Sequence, residues 1–241
     1  MINSNMTVRQ VAVEVPQSTR LFEKLKIDYC CGGNRSLTEA CDSAGLEVDE
    51  VLGMLETSIQ QVESENLTME FQTLSINDLI EHIVSTHHVF TKDELARLDL
   101  LLKKVIAAHG ENHPELRAVD ELFERLSADL MPHMFKEERV LFPYISALAH
   151  ADASYTPPPF APFGTVKNPV RMMMMEHDVA GEILREIRKV TSDYTTPADG
   201  CISYRTLYEA LEALEKDLHQ HIHLENNILF PRAVELEGSQ N

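Results

Sequence analysis

The sequence predicts an all-α protein built on a duplicated metal-binding pattern. Two segments, His133 to Pro143 and His221 to Pro231, share one arrangement: a histidine stands four residues before a glutamate and ten before a proline. The 241 residues include nine Gly and no Trp, and few runs alternate in the way that a half-buried strand does. These observations favour packed helices over a sheet.

The first 63 residues predict a small helical domain. Short helices are expected around residues 20–25, after Ser36, and from about Asp49 onward. Ser36 and Glu39 have the spacing of a capping box, and Gly45 is a typical helix stop. Residues 64–75 are polar and poorly periodic, so they are expected to form a linker.

Residues 76–241 are expected to form four long helices, at roughly 76–108, 115–149, 169–191 and 203–233. Gly, Pro and small polar residues separate these helices, and short links of this kind predict an up-down-up-down four-helix bundle. Pro132 and Pro143 lie in the second helix. Each is expected to bend or end that helix, because proline lacks an N–H group and its ring clashes with the preceding turn.

The charge and composition exclude several classes of function. A net charge of −18 repels phosphate backbones and anionic lipids, so neither a nucleic acid nor a membrane is an expected partner. No stretch of 18 consecutive apolar residues is present. Four cysteines are too few and too unevenly spaced for a secreted disulfide framework. We therefore expect a cytoplasmic protein.

The repeated motif has the spacing that a metal site on a helix requires. Residues i and i+4 share one face of a helix, so His133 and Glu137 can direct two donor atoms at one point. His221 and Glu225 can do the same. Apolar residues on the same faces predict that both motifs point into the core: Leu126, Leu130, Leu141, Leu214, Leu218 and Ile228.

Each half of the bundle also contains an upstream histidine that faces the core. In the first helix we predict His88 rather than His87 as the ligand, because only His88 continues an apolar row. That row is Ile80, Val84, Leu95, Leu98 and Leu102. His177 shares a face with apolar residues of the third helix. The other seven histidines lie off the stripes or in loops and are expected to be solvated: His82, His87, His109, His113, His150, His219 and His223.

Four imidazoles and two carboxylates suit a pair of non-haem iron ions, although manganese or zinc could also bind. The duplication suggests that His88 and His133 hold one iron while His177 and His221 hold the other. Glu137 and Glu225 would then bridge two ions about 3.5–4 Å apart. Positions that the protein leaves open could take an oxo or hydroxo bridge, dioxygen or nitric oxide.

Two further carboxylates are candidates for orienting the imidazoles. Asp129 lies one turn before His133, and Glu176 lies beside His177. A carboxylate that accepts a hydrogen bond from a metal-binding imidazole fixes the orientation of the ring and can relay protons.

Asp28 to Gly33, with the sequence Asp-Tyr-Cys-Cys-Gly-Gly, is the second distinctive motif. The adjacent pair Cys30 and Cys31 lacks the spacing of a zinc site, and a disulfide between neighbouring residues is strained. Beside a Gly-Gly turn the two thiols are expected to be exposed and partly ionised, and so available for redox chemistry or iron handling. Cys41 and Cys201 are expected to be structural.

Together these residues resemble the Repair of Iron Centres family, also called YtfE or ScdA, along nearly the whole chain. The matching segments are Val15-Pro16, Leu21-Phe22, Asp28 to Gly33, His133 to Glu138, Glu176 to Asp178, Gly181-Glu182 and Leu224 to Pro231. The resemblance implies a hemerythrin-like bundle and the same six ligands. Met173 and Gly181, one turn either side of His177, depart from oxygen-carrying hemerythrins, so an oxygen carrier is not expected.

The resemblance implies a stress-response protein that restores iron–sulfur clusters damaged by oxidants or nitric oxide. It would supply iron from a labile di-iron centre to damaged iron–sulfur proteins or to an assembly scaffold. Reduction of nitric oxide at the same centre is an alternative. A sensor of oxygen, nitric oxide or redox state is another, but it would need an output module that the sequence does not predict. The sequence is also compatible with a homodimer.

Overall fold

The computed structural model describes residues 2–15, 18–30, 32–63 and 71–239, and for residues 58–63 it describes the backbone only. Within these ranges every regular element is helical. The only backbone pairing of the β type in the described chain is an isolated bridge between Thr7 and Ser36. The prediction of an all-α fold is confirmed. No helix among the described residues is both long and apolar enough to cross a membrane.

The described chain forms two compact units. One comprises Met1–Leu79 together with His219–Arg232, and the other comprises Ile80–Leu218 together with Ala233–Asn241. The last long helical segment of the chain therefore contributes residues to both units.

Four helices form the N-terminal part of the first unit: α1 (Val8–Glu14), α2 (Ser18–Leu25), α3 (Leu37–Ala44) and α4 (Val48–Glu63). As predicted, Ser36 and Glu39 form a capping box, and Gly45 ends α3 with a φ of 69°. Helix α1 was not predicted. Its signal is the Thr7 to Gln10 capping box, which the sequence contains.

A separate apolar core holds these four helices together. Each fully buried aliphatic or aromatic side chain contributes roughly 1.5–3 kcal/mol relative to an exposed one. The core residues are Val8, Val11, Ala12, Phe22, Ile27, Tyr29, Leu37, Ala40, Cys41, Val51 and Leu55. The predicted linker lies largely outside the described residues, which resume at Phe71, and Ser75 then caps the next helix by accepting a hydrogen bond from the Asp78 N–H.

The rest of the chain is helical in the four predicted stretches. The helices are α5 (Ile76–His82), α6 (Val89–His109), α7 (Glu115–Lys136), α8 (Phe142–Ala153), α9 (Lys167–Val190), α10 (Ile202–Leu224) and α11 (Phe230–Ser239). In the second unit α6, α7, α9 and α10 bury one continuous core that runs from Leu95 to Leu218. This arrangement is the predicted four-helix bundle.

Three of the four stretches contain a π-helical turn, at Ile83–His88, Glu137–Leu141 and Glu225–Leu229. The N–H of Phe142 donates to the carbonyl of Glu137, five residues earlier, and the N–H of Phe230 donates to Glu225 in the same way. These turns join α5 to α6, α7 to α8 and α10 to α11 without a break.

Neither proline ends the second helical stretch, so of the predicted effects only a bend remains a prediction. Pro132 lies inside α7, and Pro143 begins the turn that follows the π segment. A proline cannot donate to the carbonyl four residues earlier, and its ring crowds that carbonyl. At Pro143 the widened turn Glu137–Leu141 relieves both problems, because it moves the crowded carbonyl and shifts the hydrogen bonds by one residue.

Candidate metal centre

The π turns lie at the predicted ligands. His88 is the last residue of the first turn, Glu137 is the first residue of the second, and Glu225 is the first residue of the third. A π turn inserts one extra residue into a helix and so re-aims the side chains beside it, which is why such turns recur at functional sites. The sequence analysis did not predict these turns, although the shared Leu-Phe-Pro that follows each glutamate motif is a signal for two of them.

The six predicted ligands form two groups of donors. In each group one donor atom per residue lies within 4.8 Å of all the others. The first group is His88, Glu137, His221 and Glu225, and the second is His133, Glu137, His177 and Glu225. All six side chains belong to residues that are at most 2 % exposed. The two carboxylates belong to both groups, which is the arrangement expected of bridging ligands.

The imidazoles present their Nε2 atoms to the centre. His88 Nε2 lies 3.5 Å and His133 Nε2 lies 3.3 Å from the same carboxylate oxygen, Oε2 of Glu137. The Nε2 atoms of His133 and His177 are 3.0 Å apart. His221 Nε2 lies 3.0 Å from Oε1 of Glu225.

The pairing of histidines differs from the prediction. The chain repeat suggested His88 with His133 and His177 with His221, whereas the structure groups His88 with His221 and His133 with His177. A repeat along the chain shows which residues are equivalent. Which helices bring their donors to the same level of the bundle depends on packing, and the repeat carries no information about that.

The donor set fits a cation. Among the residues that the structure describes, neither oxygen of the Glu137 carboxylate has a hydrogen-bond partner, and both oxygens are buried. An isolated buried carboxylate costs far more free energy than an exposed one, and a bound metal ion is the usual compensation. Nitrogen donors mixed with carboxylate oxygens suit iron, manganese or zinc better than calcium or magnesium.

Two carboxylates contact the outer nitrogens of ligand histidines. Glu138 Oε1 accepts a hydrogen bond from His88 Nδ1 at 2.7 Å, and Glu176 Oε2 accepts one from His133 Nδ1 at 2.8 Å. Glu176 was predicted as a residue that orients an imidazole, and this contact supports that role. Glu138 was missed, although it directly follows Glu137 in the repeated motif.

Each of these carboxylates is also paired with a lysine. Lys92 Nζ lies 2.5 Å from Glu138, and Lys136 donates to Glu176. Burial alone would raise the pKa of Glu138, but hydrogen bonds from Lys92 and His88 lower it below the usual value. Burial likewise raises the pKa of Glu176, and the bonds from Lys136 and His133 outweigh it, so the net shift is downward.

Several other predictions about single residues need correction. Asp129 is exposed, and the carboxylate that the structure places on Nδ1 of His133 is that of Glu176, on a facing helix. His87 is not solvated: it is buried, with Nδ1 2.9 Å from Asp217. His223 is buried too, and burial lowers its pKa to about 4, with a further contribution from Arg9.

The cysteines also differ from expectation. Cys30 is buried rather than exposed, and its N–H donates to Asp28 Oδ1 at 3.2 Å. Cys31 lies outside the described residues. Both Cys41 and Cys201 were predicted to be structural; Cys41 is buried, which fits that role, whereas Cys201 is exposed just before α10. Hydrogen bonds from the Tyr204 backbone and the His109 ring lower the pKa of Cys201 to about 7.

Within the first unit, the Asp28 to Gly33 motif lies against the segment that carries His221 and Glu225. The Asn227 side chain donates to the Tyr29 carbonyl at 3.1 Å and lies 2.9 Å from Nδ1 of His223. The Tyr29 ring meets the His223 ring edge-on, with centroids 5.4 Å apart.

Three polar contacts extend this packing. The Tyr29 hydroxyl and His219 Nδ1 both bond to Glu23 Oε1, at 3.0 and 2.8 Å. The Arg9 guanidinium donates to the Asn227 carbonyl, which is the carbonyl that Pro231 cannot engage. The N-terminal helices therefore support the backbone of the third π turn.

Two known families match this chain. Residues 79–233 match the hemerythrin HHE cation binding domain. Residues 4–58 match the ScdA_N family, which is described as a domain of unknown function (DUF542). The first match covers the bundle and all six candidate ligands, and the second covers the helices around the Cys30 motif.

Curated relatives match along most of their length. A probable iron–sulfur cluster repair protein of Haemophilus influenzae is 36% identical over 225 residues, which cover 93% of this chain and 95% of the relative. The iron–sulfur cluster repair protein YtfE of an Enterobacter species is 32% identical over 225 residues, covering 93% and 94%. YtfE of Yersinia pseudotuberculosis is 32% identical over 231 residues, covering 95% and 97%.

Proposed function

Because this chain belongs to the hemerythrin HHE cation binding family and to the family of the iron–sulfur cluster repair proteins it matches, we propose that it repairs iron–sulfur clusters damaged by oxidative or nitrosative stress. It does so by supplying iron to damaged iron–sulfur proteins or to a scaffold on which clusters are assembled. The observation that carries this proposal is the set of six buried donors, in which two carboxylates serve both groups.

The proposed cofactor is a pair of non-haem iron ions with an oxo or hydroxo bridge. His88 and His221 would hold one ion, His133 and His177 the other, and Glu137 with Glu225 would bridge them. Bound iron supplies a Lewis acid and a redox couple. The protein positions the donor atoms and excludes water from them, since every ligand side chain is buried.

In this proposal the protein binds iron as a cofactor and also delivers it to an acceptor. Imidazole and carboxylate donors bind divalent iron less tightly than they bind the later metals of the first transition row. Such a centre can pass its metal to a thiolate or sulfide acceptor. The Cys30 motif is the proposed handling element, because it packs against the segment that carries two of the proposed ligands.

We also propose the domain division made from the sequence, with a helical domain at 1–63, a linker at 64–75 and the bundle at 76–241. The ScdA_N match at 4–58 and the hemerythrin match at 79–233 support it. The proposed location is the cytoplasm. Cys41 and Cys201 are free thiols, which is compatible with a reducing compartment.

Reduction of nitric oxide is the second candidate function. Each group contains two imidazoles and two shared carboxylates, so the protein supplies four donors to a metal that commonly takes six. Open positions of this kind would accept nitric oxide or dioxygen. This reaction also needs an electron donor, for which the buried Cys30 and its neighbour Cys31 are the proposed contact.

The test compares iron transfer with nitric oxide consumption in the same anaerobically loaded protein. We expect about two irons per chain and faster rebuilding of a damaged iron–sulfur protein than occurs with equimolar free iron. The Cys30→Ser/Cys31→Ser double variant should hold as much iron but transfer it more slowly. Cys41→Ser, a buried thiol outside the motif, is the control. Normal nitric oxide turnover without any iron transfer would favour the second function over the first.

A further inference from the structure

Two carboxylate–lysine pairs, Glu138 with Lys92 and Glu176 with Lys136, contact candidate ligand histidines in the same way. The proposed function assigns these pairs no role. On α6, Lys92 follows His88 by one turn and contacts Glu138, which in turn accepts from His88 Nδ1. On α7, Lys136 follows His133 by about one turn and donates to Glu176, which in turn accepts from His133 Nδ1. All six residues belong to the second compact unit.

The hydrogen bond to a carboxylate settles which ring nitrogen faces the centre. A carboxylate can only accept, so Nδ1 of His88 donates the proton, and in the neutral ring the Nε2 lone pair is then the one directed at the centre. Rotation of the ring about its bond to Cβ would break the 2.7 Å contact with Glu138. The ring is therefore held in the one orientation in which Nε2 faces the Glu137 carboxylate.

The lysines hold the carboxylates in turn. Glu138 and Glu176 have side chains that are 25% and 31% exposed, so solvent alone would leave them several rotamers. A lysine bonded to the same carboxylate restricts that freedom and balances its charge. Each arrangement thus runs from a buried imidazole through a half-buried carboxylate to a lysine at the surface.

We propose that Glu138, held by Lys92, is a positioning residue that fixes His88 for metal binding and slows the release of metal, and that Glu176 with Lys136 does the same for His133. The inference rests on the proposed metal centre, but it does not depend on where the metal is delivered. Outer partners of this kind typically change metal affinity by about 10- to 100-fold when removed.

The alternative to a positioning role is that Lys92 and Glu138 form an ordinary surface ion pair. Glu212 and Lys216 on α10 form such a pair at the same 2.5 Å distance. Exposed ion pairs of this type contribute little to stability. Substitutions at Glu212 and Lys216 are therefore matched controls for those at Glu138 and Lys92.

The experiment measures metal release from the full-length chain. Wild type and the variants Glu138→Leu, Glu138→Gln and Glu212→Leu are loaded with Fe²⁺ without oxygen, and transfer to a chromogenic chelator is followed. We expect Glu138→Leu to release metal about tenfold faster or more, and Glu212→Leu to match wild type. Glu138→Gln should lie closer to wild type, because its amide oxygen can still accept from Nδ1.

Two additional readouts separate positioning from general damage. The absorption spectrum of the Co²⁺-loaded protein reports ligand geometry, and it should change in Glu138→Leu but not in Glu212→Leu. Thermal unfolding of the metal-free variants should be similar. If Glu138→Leu does not fold, the same comparison is made with Lys92→Met against Lys216→Met, and faster release is expected only in the former.

The outcomes distinguish this inference from the proposed function. A wild-type release rate and an unchanged Co²⁺ spectrum in Glu138→Leu would overturn the inference, as would equal losses in the Leu and Gln variants. Wild-type protein that binds metal but transfers none to iron–sulfur proteins would contradict cluster repair and leave the positioning role standing. Wild-type protein that binds no metal would contradict both.

Discussion

At the scale of single residues, the environment of each histidine separates ligands from structural residues. His88 is fully buried with its two ring nitrogens directed at Glu137 and Glu138, while the neighbouring His87 is buried against Asp217. Both side chains are inside the protein, so burial alone does not identify the ligand. The direction of Nε2 relative to the shared carboxylate does.

A pair of alanine substitutions tests this distinction. His88→Ala should lower the iron content from about two ions per chain to about one, because one group loses an imidazole. His87→Ala should keep the iron content, but it should lower the free energy of unfolding by roughly 1–3 kcal/mol, since Asp217 loses its partner. Elemental analysis and urea unfolding of both variants give the two quantities. The reverse pattern of iron loss would show that the ligand assignment on the first helix is incorrect.

At the scale of elements, the π turns set the orientation of the candidate donor side chains that they contain, His88, Glu137 and Glu225. Pro143 and Pro231 each stand six residues after a glutamate ligand, and each follows directly on the residue whose N–H closes the π turn. The first turn, at Ile83–His88, contains no proline, so packing must maintain it. Each π turn inserts one residue into its helix, and without that residue the side chains beyond the turn would be rotated by about 100° about the helix axis.

Replacing the second of these prolines tests the role of the turn. Pro231→Ala restores an N–H donor, so the segment can relax to an α-helix and shift Glu225. We expect metal affinity to fall by roughly tenfold, the size of effect seen when support for a ligand is lost. Pro132→Ala is the control: it lies in the ordinary helix α7 and should leave affinity unchanged while stabilising the helix by up to about 3 kcal/mol. Competition titration with a chelator measures the affinities, and equal affinities for Pro231→Ala and wild type would refute the role of the turn.

At the scale of the whole molecule, burying the six donor side chains costs folding free energy, and a bound metal ion would offset that cost. Six ionisable or polar side chains occupy positions that apolar residues fill elsewhere in the bundle. Without a cation, the Glu137 carboxylate lacks a hydrogen-bond donor among the described residues. These polar donors therefore make the metal-free core less stable than an apolar core would be.

Removal of metal should therefore lower the melting temperature reversibly. At a free metal concentration 100 times Kd, binding stabilises the folded state by about 2.7 kcal/mol. For a chain of this size that corresponds to roughly 5–10 °C. Calorimetry of chelator-treated and reloaded protein measures the difference. A melting temperature that does not respond to metal would mean that the donors do not bind it in the folded protein.

Much of the site follows from the sequence because it depends on local periodicity. The i, i+4 spacing and the apolar stripes predicted the six residues that the structure groups as candidate donors, and a capping box and a glycine stop located α3, since these signals act within one or two turns of helix. The exposure predicted for Cys30 and for His223 was wrong. His223 contacts Tyr29 and lies near Arg9, which are distant in the sequence, and no local pattern reports on such contacts.

The sequence by itself determined the all-α class, the four long helices and the identity of the buried donors. The tertiary structure alone decided that His88 groups with His221, that Glu138 and Glu176 back two of the imidazoles, and that the Cys30 motif packs against the segment 219–232. The physical reason is the range of the interactions. Periodicity and caps are set by neighbours along one helix, whereas the pairing of ligands depends on which side chains different helices bring within a few ångströms of each other.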